Sequence, residues 1–315
     1  MRRAFIVPLL ALALSGAWSE EGSVPIPPTP SAAPAAQADQ QAAIDPSVDS
    51  TPYSVASHID WKRRVLVIDI SLDFKKAGLA LPEGRLTAAR LVSRDLSGLA
   101  KDSLFSIPLD SEGRIGDRIL SGDLGIEAIL SLAGALVHVD DAMSGDLLTF
   151  RSRWELPLSR AAALFVDWKQ KRPLPEPLDW TASRAYTGII IYADAPLPVY
   201  GERGVTATLS RCLFPRIFDE AMGTVMNRWV VEPEVLTDQG PLGYIGRRSA
   251  DDEARVGDDP LLIRAVGLFG IRRTDLIISS ADAARILADP ANRELVANGR
   301  ILVVVPRDPP SRAAR

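Results

Sequence analysis

Two neighbouring serines close an apolar run in Thr274–Asp289, TDLIISSADAARILAD, at the point where a strand gives way to a helix. A hydroxyl in that position can act as a nucleophile when a base stands close enough to take its proton. The chain carries two histidines, His58 and His138, and neither stands in a triad order. There is no Gly-x-Ser-x-Gly elbow, and no lysine follows a serine at the Ser-x-x-Lys spacing. The same residues also fit a structural use. As an N-cap, Ser279 accepts from the Asp282 N–H, and the Asp282 carboxylate reaches back toward the first free donors of the helix. Ser279 and Asp282 are therefore read as a helix cap. Ser280 stays with Asp194 and His138 as a candidate catalytic residue should the chain be an enzyme. Asp194 follows the apolar run IIIYA, where α/β folds often hold a catalytic carboxylate, but APLPV after it brings no second acid.

Metal and phosphate chemistry find less. His138, Asp140 and Asp141 (HVDD) come nearest to a ligand set, yet lack both the short N/S spacing of zinc and the regular oxygen donors of a calcium loop. Asp251-Asp252-Glu253 fits the acidic first turn of a helix, and Asp258-Asp259-Pro260 fits a turn before a strand. Gly240–Gly246 (GPLGYIG) has three glycines without the Gly-x-Gly-x-x-Gly spacing or a following Lys-Ser/Thr, so it reads as a turn-rich strand. Asp69 and Asp73 share one face of a strand and read as its solvent side. Cys212, the single cysteine, lies in the apolar run RCLFP and reads as a small core residue. No cofactor is expected.

The elements that must carry these residues follow from pattern. Residues 1–19 hold Arg2 and Arg3, the apolar stretch Ala4–Leu14 and a small-residue end at Ser15–Ser19, the form of a secretory signal. A lipid anchor is not expected, because Ala17 stands where a lipobox would place its cysteine. No segment of the mature chain reaches the ~20 apolar residues of a membrane span. Residues 20–54 are rich in Pro, Ala, Ser and Gln, cannot bury enough surface to offset the entropy of ordering, and read as a disordered tether. The net charge of −4, from 36 basic and 40 acidic residues with both signs interspersed, leaves no basic footprint for nucleic acid.

Beyond the tether an α+β chain is expected in two parts. Residues 55–180 form a helix-rich subdomain: order begins near His58, Arg64–Phe74 forms a strand, and Pro82-Glu83 opens a helix that reaches about Leu104 with Leu86, Ala89, Val92, Leu96, Leu99 and Ala100 on its buried face. A second helix covers Leu124–Leu136, and Leu147–Leu158 forms a half-buried strand. Lys169–Trp180, with three prolines, is a crossing between the parts. Residues 181–306 form a mixed-sheet subdomain. Its strands are expected at Tyr186–Ala193, Arg211–Phe218, Thr224–Val231, Pro260–Phe269, Thr274–Ile278 and Arg300–Val305, with a hairpin turn at Asp219–Gly223. A short helix at Ser249–Arg255 and one long helix at Ala281–Ala297 pack on them. The apolar ILVVV marks a central strand covered on both faces. Residues 307–315 are expected to be a disordered tail.

Four stretches carry a resemblance: Tyr186–Gly188, Phe214–Gly223, Val256–Leu261 and Thr274–Ala283. In that order they resemble the C-terminal half of a group of exported bacterial proteins, spirochaetal and proteobacterial members among them. The first half is similar, more loosely, to LPP-type outer-membrane lipoproteins and to the flagellar assembly protein T group. Asp194-Ala195 departs from the Ala-Arg-Gly usual there, and the lipobox cysteine is missing. The resemblance implies a non-catalytic envelope protein engaged in assembly, as a scaffold or a flagellum-associated binding module. It implies assembly or binding rather than turnover, with other envelope proteins as partners, and brings no catalytic residue; apart from the resemblance, peptidoglycan is a further candidate partner. A periplasmic hydrolase is the enzyme alternative. A peptidoglycan or polysaccharide binder is the third, and it would need exposed aromatics among Trp154, Trp168, Trp180 and Trp229.

Overall fold

Strand-forming alternation is cleanest in Val65–Asp73, where Leu66, Ile68, Ile70 and Leu72 are all buried and the residues between them, Val67 apart, are half-buried. In the computed structural model, which describes residues 51–176 and 182–306, this segment is β2. The expected signal, nearly all of the tether, residues 177–181 with Trp180, and the tail from 307 lie outside the described residues. Before β2 runs β1 (Tyr53–Asp60), paired antiparallel along its length from Tyr53↔Leu72 to Asp60↔Val65. Order was expected only from His58, and the tether was carried to residue 54, over Tyr53 and Ser54; the exposed, largely polar residues of β1 hid the strand.

Helix α1 (Gly84–Phe105) lies against β2 and starts where Pro82 predicts. Its buried face runs through Gly84, Ala88, Val92, Ala100 and Leu104, with Ala89, Leu96 and Leu99 of the expected stripe half-buried against the same core; Leu86, 68% exposed, is the member that departs from it. The first turn approaches the sheet closely: a Cβ on Gly84 would lie 3.0 Å from the Phe74 ring. Gly84 faces that ring, and Leu86, two residues on, faces solvent. Then follow α2 (Ile115–Leu120), α3 (Glu127–Gly134), β3 (Val137–Met143), β4 (Thr149–Pro157) and α4 (Leu158–Ala163). The four strands form an antiparallel sheet in the order β1-β2-β4-β3, and a register shift between His138 and Asp140 bulges the edge strand β3. Neither α2 nor β3 was anticipated, and both are short or exposed.

The second part contains β5 (Ile189–Tyr192), the two-residue ribbon β6 (Leu197–Pro198) and β7 (Thr206–Ala207), β8 (Ile217–Asp219), β9 (Thr224–Met226), α5 (Pro233–Asp238), β10 (Gly243–Ile245), α6 (Glu253–Val256), β11 (Leu261–Arg264), β12 (Gly267–Phe269), β13 (Asp275–Ile278), α7 (Ser280–Ala288), α8 (Pro290–Ala297) and β14 (Ile301–Val304). A parallel sheet has the order β10-β14-β5-β11, with all four residues of β14 buried between two neighbours. A mixed sheet has the order β12-β13-β8-β9, closed by the hairpin at Asp219–Gly223, where Met222 takes φ 63° and the Gly223 N–H donates to Asp219. The fold is α+β, with helices concentrated toward the sheet of the first part.

The strand expected over Pro260–Phe269 is two, β11 in the parallel sheet and β12 in the mixed one, and three further expected elements are divided or shortened for reasons visible in their hydrogen bonds. The helix expected over Ala281–Ala297 is two helices, because Pro290 cannot donate to a continuing ladder and the Asp289 carboxylate caps α8 through the Ala291 N–H. The strand expected over Thr224–Val231 ends at Met226, where the Asn227 side chain accepts from the Trp229 N–H and starts a single 3-10 turn. The run Arg211–Phe218 becomes a strand only at Ile217, since the Leu213 and Phe214 N–H groups donate to the carbonyls of Pro108 and Leu109 in the first part. Those two bonds stitch the parts together. One apolar cluster, with Ile68, Leu104 and Phe150 from the first and Phe214, Met226 and Leu276 from the second, runs through both, and the described residues belong to one compact unit.

Candidate functional site

The residues singled out for chemistry occupy separate elements and hold separate bonds. Ser279 ends β13 and caps α7: its Oγ accepts from the Asp282 N–H at 3.1 Å and donates to the Asp282 carboxylate at 2.8 Å. The second arm of the expected box is therefore different, because the Asp282 carboxylate takes the hydroxyl and Arg285 rather than a backbone donor. Ser280 is exposed, and its N–H donates to Glu220 at 3.0 Å. Asp194 is exposed just beyond β5 in the parallel sheet, and its carboxylate meets no described residue. His138 lies on β3 of the antiparallel sheet, with Nε2 2.8 Å from Asp141 and its ring edge-on to Trp154. Asp69 pairs with Arg153 at 2.7 Å, and Asp73 caps the following turn through the Lys76 N–H. No group of three or more His, Cys, Asp or Glu among the described residues is placed to hold a metal ion. Cys212 is buried, and burial pushes its thiol pKa far up.

A different set of side chains converges where the two parts meet. The loop before α2 supplies Asp110 and Glu112, α2 supplies Arg118, and the segment leading into β8 supplies Phe214 and Arg216. The turn after β9 supplies Asn227, Arg228 and Trp229. Together they line a cleft of about 230 Å³. Most of its charge is already matched. Arg118 donates to Asp110 at 3.0 Å and Glu112 at 3.2 Å and lies 3.5 Å from Asp123. Arg216 reaches behind the cleft to Asp275, which is fully buried: Nε donates at 2.8 Å, the backbone N–H donates to the other carboxylate oxygen at 3.1 Å, and Nη2 donates to Ser111 at 2.6 Å. Burial raises the Asp275 pKa, and Arg216 pulls it back in part.

Arg228 is the exception. Its guanidinium is half-buried, sits 4.7 Å from the Trp229 ring centre and 5.8 Å from that of Phe214, and forms no ion pair with a described carboxylate. Burial lowers its pKa, with Asp110 opposing that shift and Arg118 adding to it. The ring beneath it is fixed: Trp168 packs against Trp229 at 4.3 Å, Arg172 lies over it at 4.8 Å, and the Arg172 N–H donates to the Trp229 carbonyl. With guanidinium groups and a second indole against it, Trp229 is not an open platform for a sugar ring. Trp154 is half-buried against His138.

The two parts that build the cleft are also the two stretches that match known families. Residues 52–164 match the family model described as Treponema pallidum Tp0624, N-terminal domain, and residues 188–308 match the one described as Treponema pallidum Tp0624, second domain. Over both stretches the chain is similar to Tp0624. Neither description mentions an LPP-type lipoprotein or a flagellar protein. No curated protein matches the chain. Arg118 falls in the first Tp0624-like stretch and Arg228 in the second, so the cleft exists only through their contact. Sequence reading passed over Arg228 because an arginine beside a tryptophan has no motif. The signal available was Trp229 itself, one of the aromatics marked for inspection.

Proposed function

We propose that this chain is a non-catalytic binding protein of the bacterial cell envelope, exported by its N-terminal segment and acting through contact with another envelope protein. The observation that carries the reading is the separation of Ser279, Asp194 and His138 onto three different sheets: the Ser279 hydroxyl is engaged by Asp282 and the His138 ring by Asp141, and no two of the three candidates come together as nucleophile and base. The cleft supports recognition for a complementary reason. It presents a guanidinium, an amide and aromatic rings, with neither a hydroxyl nor a thiol nucleophile among the residues that line it. No described helix is long and apolar enough to cross a membrane, which agrees with a partner-binding domain held by other means. The flagellar resemblance chooses which partners to look for first.

The test is cross-linking in intact cells of the natural host, followed by fractionation and identification of the captured protein. The expected result is a processed chain in the envelope fraction, linked to a discrete envelope partner. Recovery of the unprocessed chain in the cytosol would overturn the reading.

A further inference from the structure

Among the arginines that line the interdomain cleft, one forms no ion pair with a described carboxylate, and its surroundings limit what can supply one. The guanidinium carbon of Arg228 lies 4.7 Å from the Trp229 ring centre and 5.8 Å from that of Phe214. Its N–H groups form a fork that matches an acceptor with two coplanar oxygens. Asn227, next to it, uses its amide oxygen to cap the Trp229 N–H, which leaves the amide NH₂ as a further donor in the cleft lining. The opposite wall carries Asp110 and Glu112. Both are held by Arg118, and Asp110 is fixed further by the N–H groups of Glu112 and Gly113.

We propose that this cleft binds a carboxylate, with Arg228 as its bidentate partner and Asn227 as a second donor. The acidic wall selects within anions. A planar monoanion brings one charge to the Arg228 cation past Asp110 and Glu112, which share the single charge of Arg118, whereas a phosphate near neutral pH brings close to two negative charges against them. The cleft's small volume fits one such group with a short stem. The depressed pKa of Arg228 agrees with a cation held partly out of water without an ion partner. Carboxylates reach such a site from two sources, an acidic side chain of a peptide or a free small dicarboxylate. The inference rests on the reading of the chain as a binding protein.

The experiment titrates the full mature chain with sodium glutarate, with an acetylated and amidated Gly-Glu-Gly peptide, and with inorganic phosphate, following the Nε–H resonances of the arginine side chains by ¹H–¹⁵N NMR. A saturable shift of Arg228, together with the Asn227 side-chain amide, is expected for the carboxylates, with phosphate weaker. Arg228→Gln should weaken carboxylate binding by roughly tenfold, the worth of a charge-assisted bond, and Arg228→Lys by less, because charge is kept and the fork is lost. Tighter binding of the peptide than of glutarate assigns the site to a protein partner, and the reverse assigns it to a free acid; either supports the proposal. Shifts that do not saturate, that map away from Arg228, that persist unchanged in Arg228→Gln, or that favour phosphate overturn it. If Arg228→Gln does not fold, the mapping on the unsubstituted chain decides alone. Failure here leaves a cross-linked envelope partner standing, and loss of that partner leaves a carboxylate titration standing, so the two readings fail separately.

Discussion

Asp275→Asn isolates the electrostatics of the buried pair that orients Arg216 within the second part, from where Arg216 also reaches Ser111 of the first, because the amide fills the same space as the carboxylate. Asp275 is fully buried and accepts from the Arg216 backbone N–H, from Nε and from Nη2, all within 3.1 Å. An asparagine can turn its oxygen toward the backbone donor, and its NH₂ then faces Nε and Nη2, donor against donor. Removing one partner of a buried pair costs about 3–5 kcal/mol. Arg216 keeps a third of its side chain in water and can recover some hydration, so the lower end applies. We expect a loss of about 3 kcal/mol, or about 6–12 °C in melting temperature for a domain of this size. Urea unfolding of the wild type, Asp275→Asn, Arg216→Gln and the double variant gives the coupling energy directly.

The pH dependence supplies a second check with a fixed sign. Burial holds the folded-state pKa of Asp275 above its ordinary value of 3.8. The folded chain therefore binds that proton more tightly than the unfolded chain does. The stability linked to this group is present in full below pH 3.8 and is lost as pH rises through the raised folded value. The wild type should gain on Asp275→Asn as pH falls across that window. A loss below about 1 kcal/mol at neutral pH, near the net worth of one ordinary hydrogen bond, or a coupling energy near zero with Arg216→Gln, would refute the reasoning.

Three further outcomes follow from other bonds. Ser279→Ala should cost about 1 kcal/mol in chemical unfolding, the worth of an N-cap, and leave binding of any captured partner unchanged. Asp95 is held at about 2 by hydrogen bonds from Arg94 and from Tyr53, so its contribution is present above 3.8 and disappears as pH falls toward 2; acid unfolding curves of the wild type and Asp95→Asn should converge over that interval. Tyr53 is correspondingly pushed up to about 12, first by burial and then by Asp95, and ultraviolet titration should find it among the last tyrosines to ionise. Cys212 is buried with its thiol pKa far above the ordinary range, so iodoacetamide should label it only in denaturant; rapid labelling of the folded chain would contradict its place in the core.

What could be read from the sequence was whatever a short window contains. The alternation in β2 and in β4, the Pro82 start of α1, the Asp219–Gly223 hairpin and the apolar β14 are each specified within about ten residues, and each is present. Errors appear where a distant contact overrides a local preference. The apolar run at Leu213 and Phe214 gives its backbone donors to Pro108 and Leu109, and in the first turn of α1 Gly84 closes on Phe74 while Leu86 faces solvent. At β1, local polarity concealed a strand whose hydrogen bonds come from a neighbour.

The cleft belongs to the second kind for a reason that no longer window would repair. Arg118, Arg216 and Arg228 are indistinguishable as sequence: each is a cation among apolar and polar neighbours. Only the fold closes three carboxylates around Arg118, gives Arg216 the buried Asp275, and leaves Arg228 beside two aromatic rings without an ion pair to a described carboxylate. The difference between a structural ion pair and a site open to a ligand is thus a property of which carboxylate the fold brings within bonding distance. Moving one carboxylate should convert one into the other. Asn227→Asp would place a negative charge beside Arg228 and is expected to abolish glutarate binding while leaving the Arg228 fork intact. Retained binding in that variant would mean that the free guanidinium is not what the cleft offers.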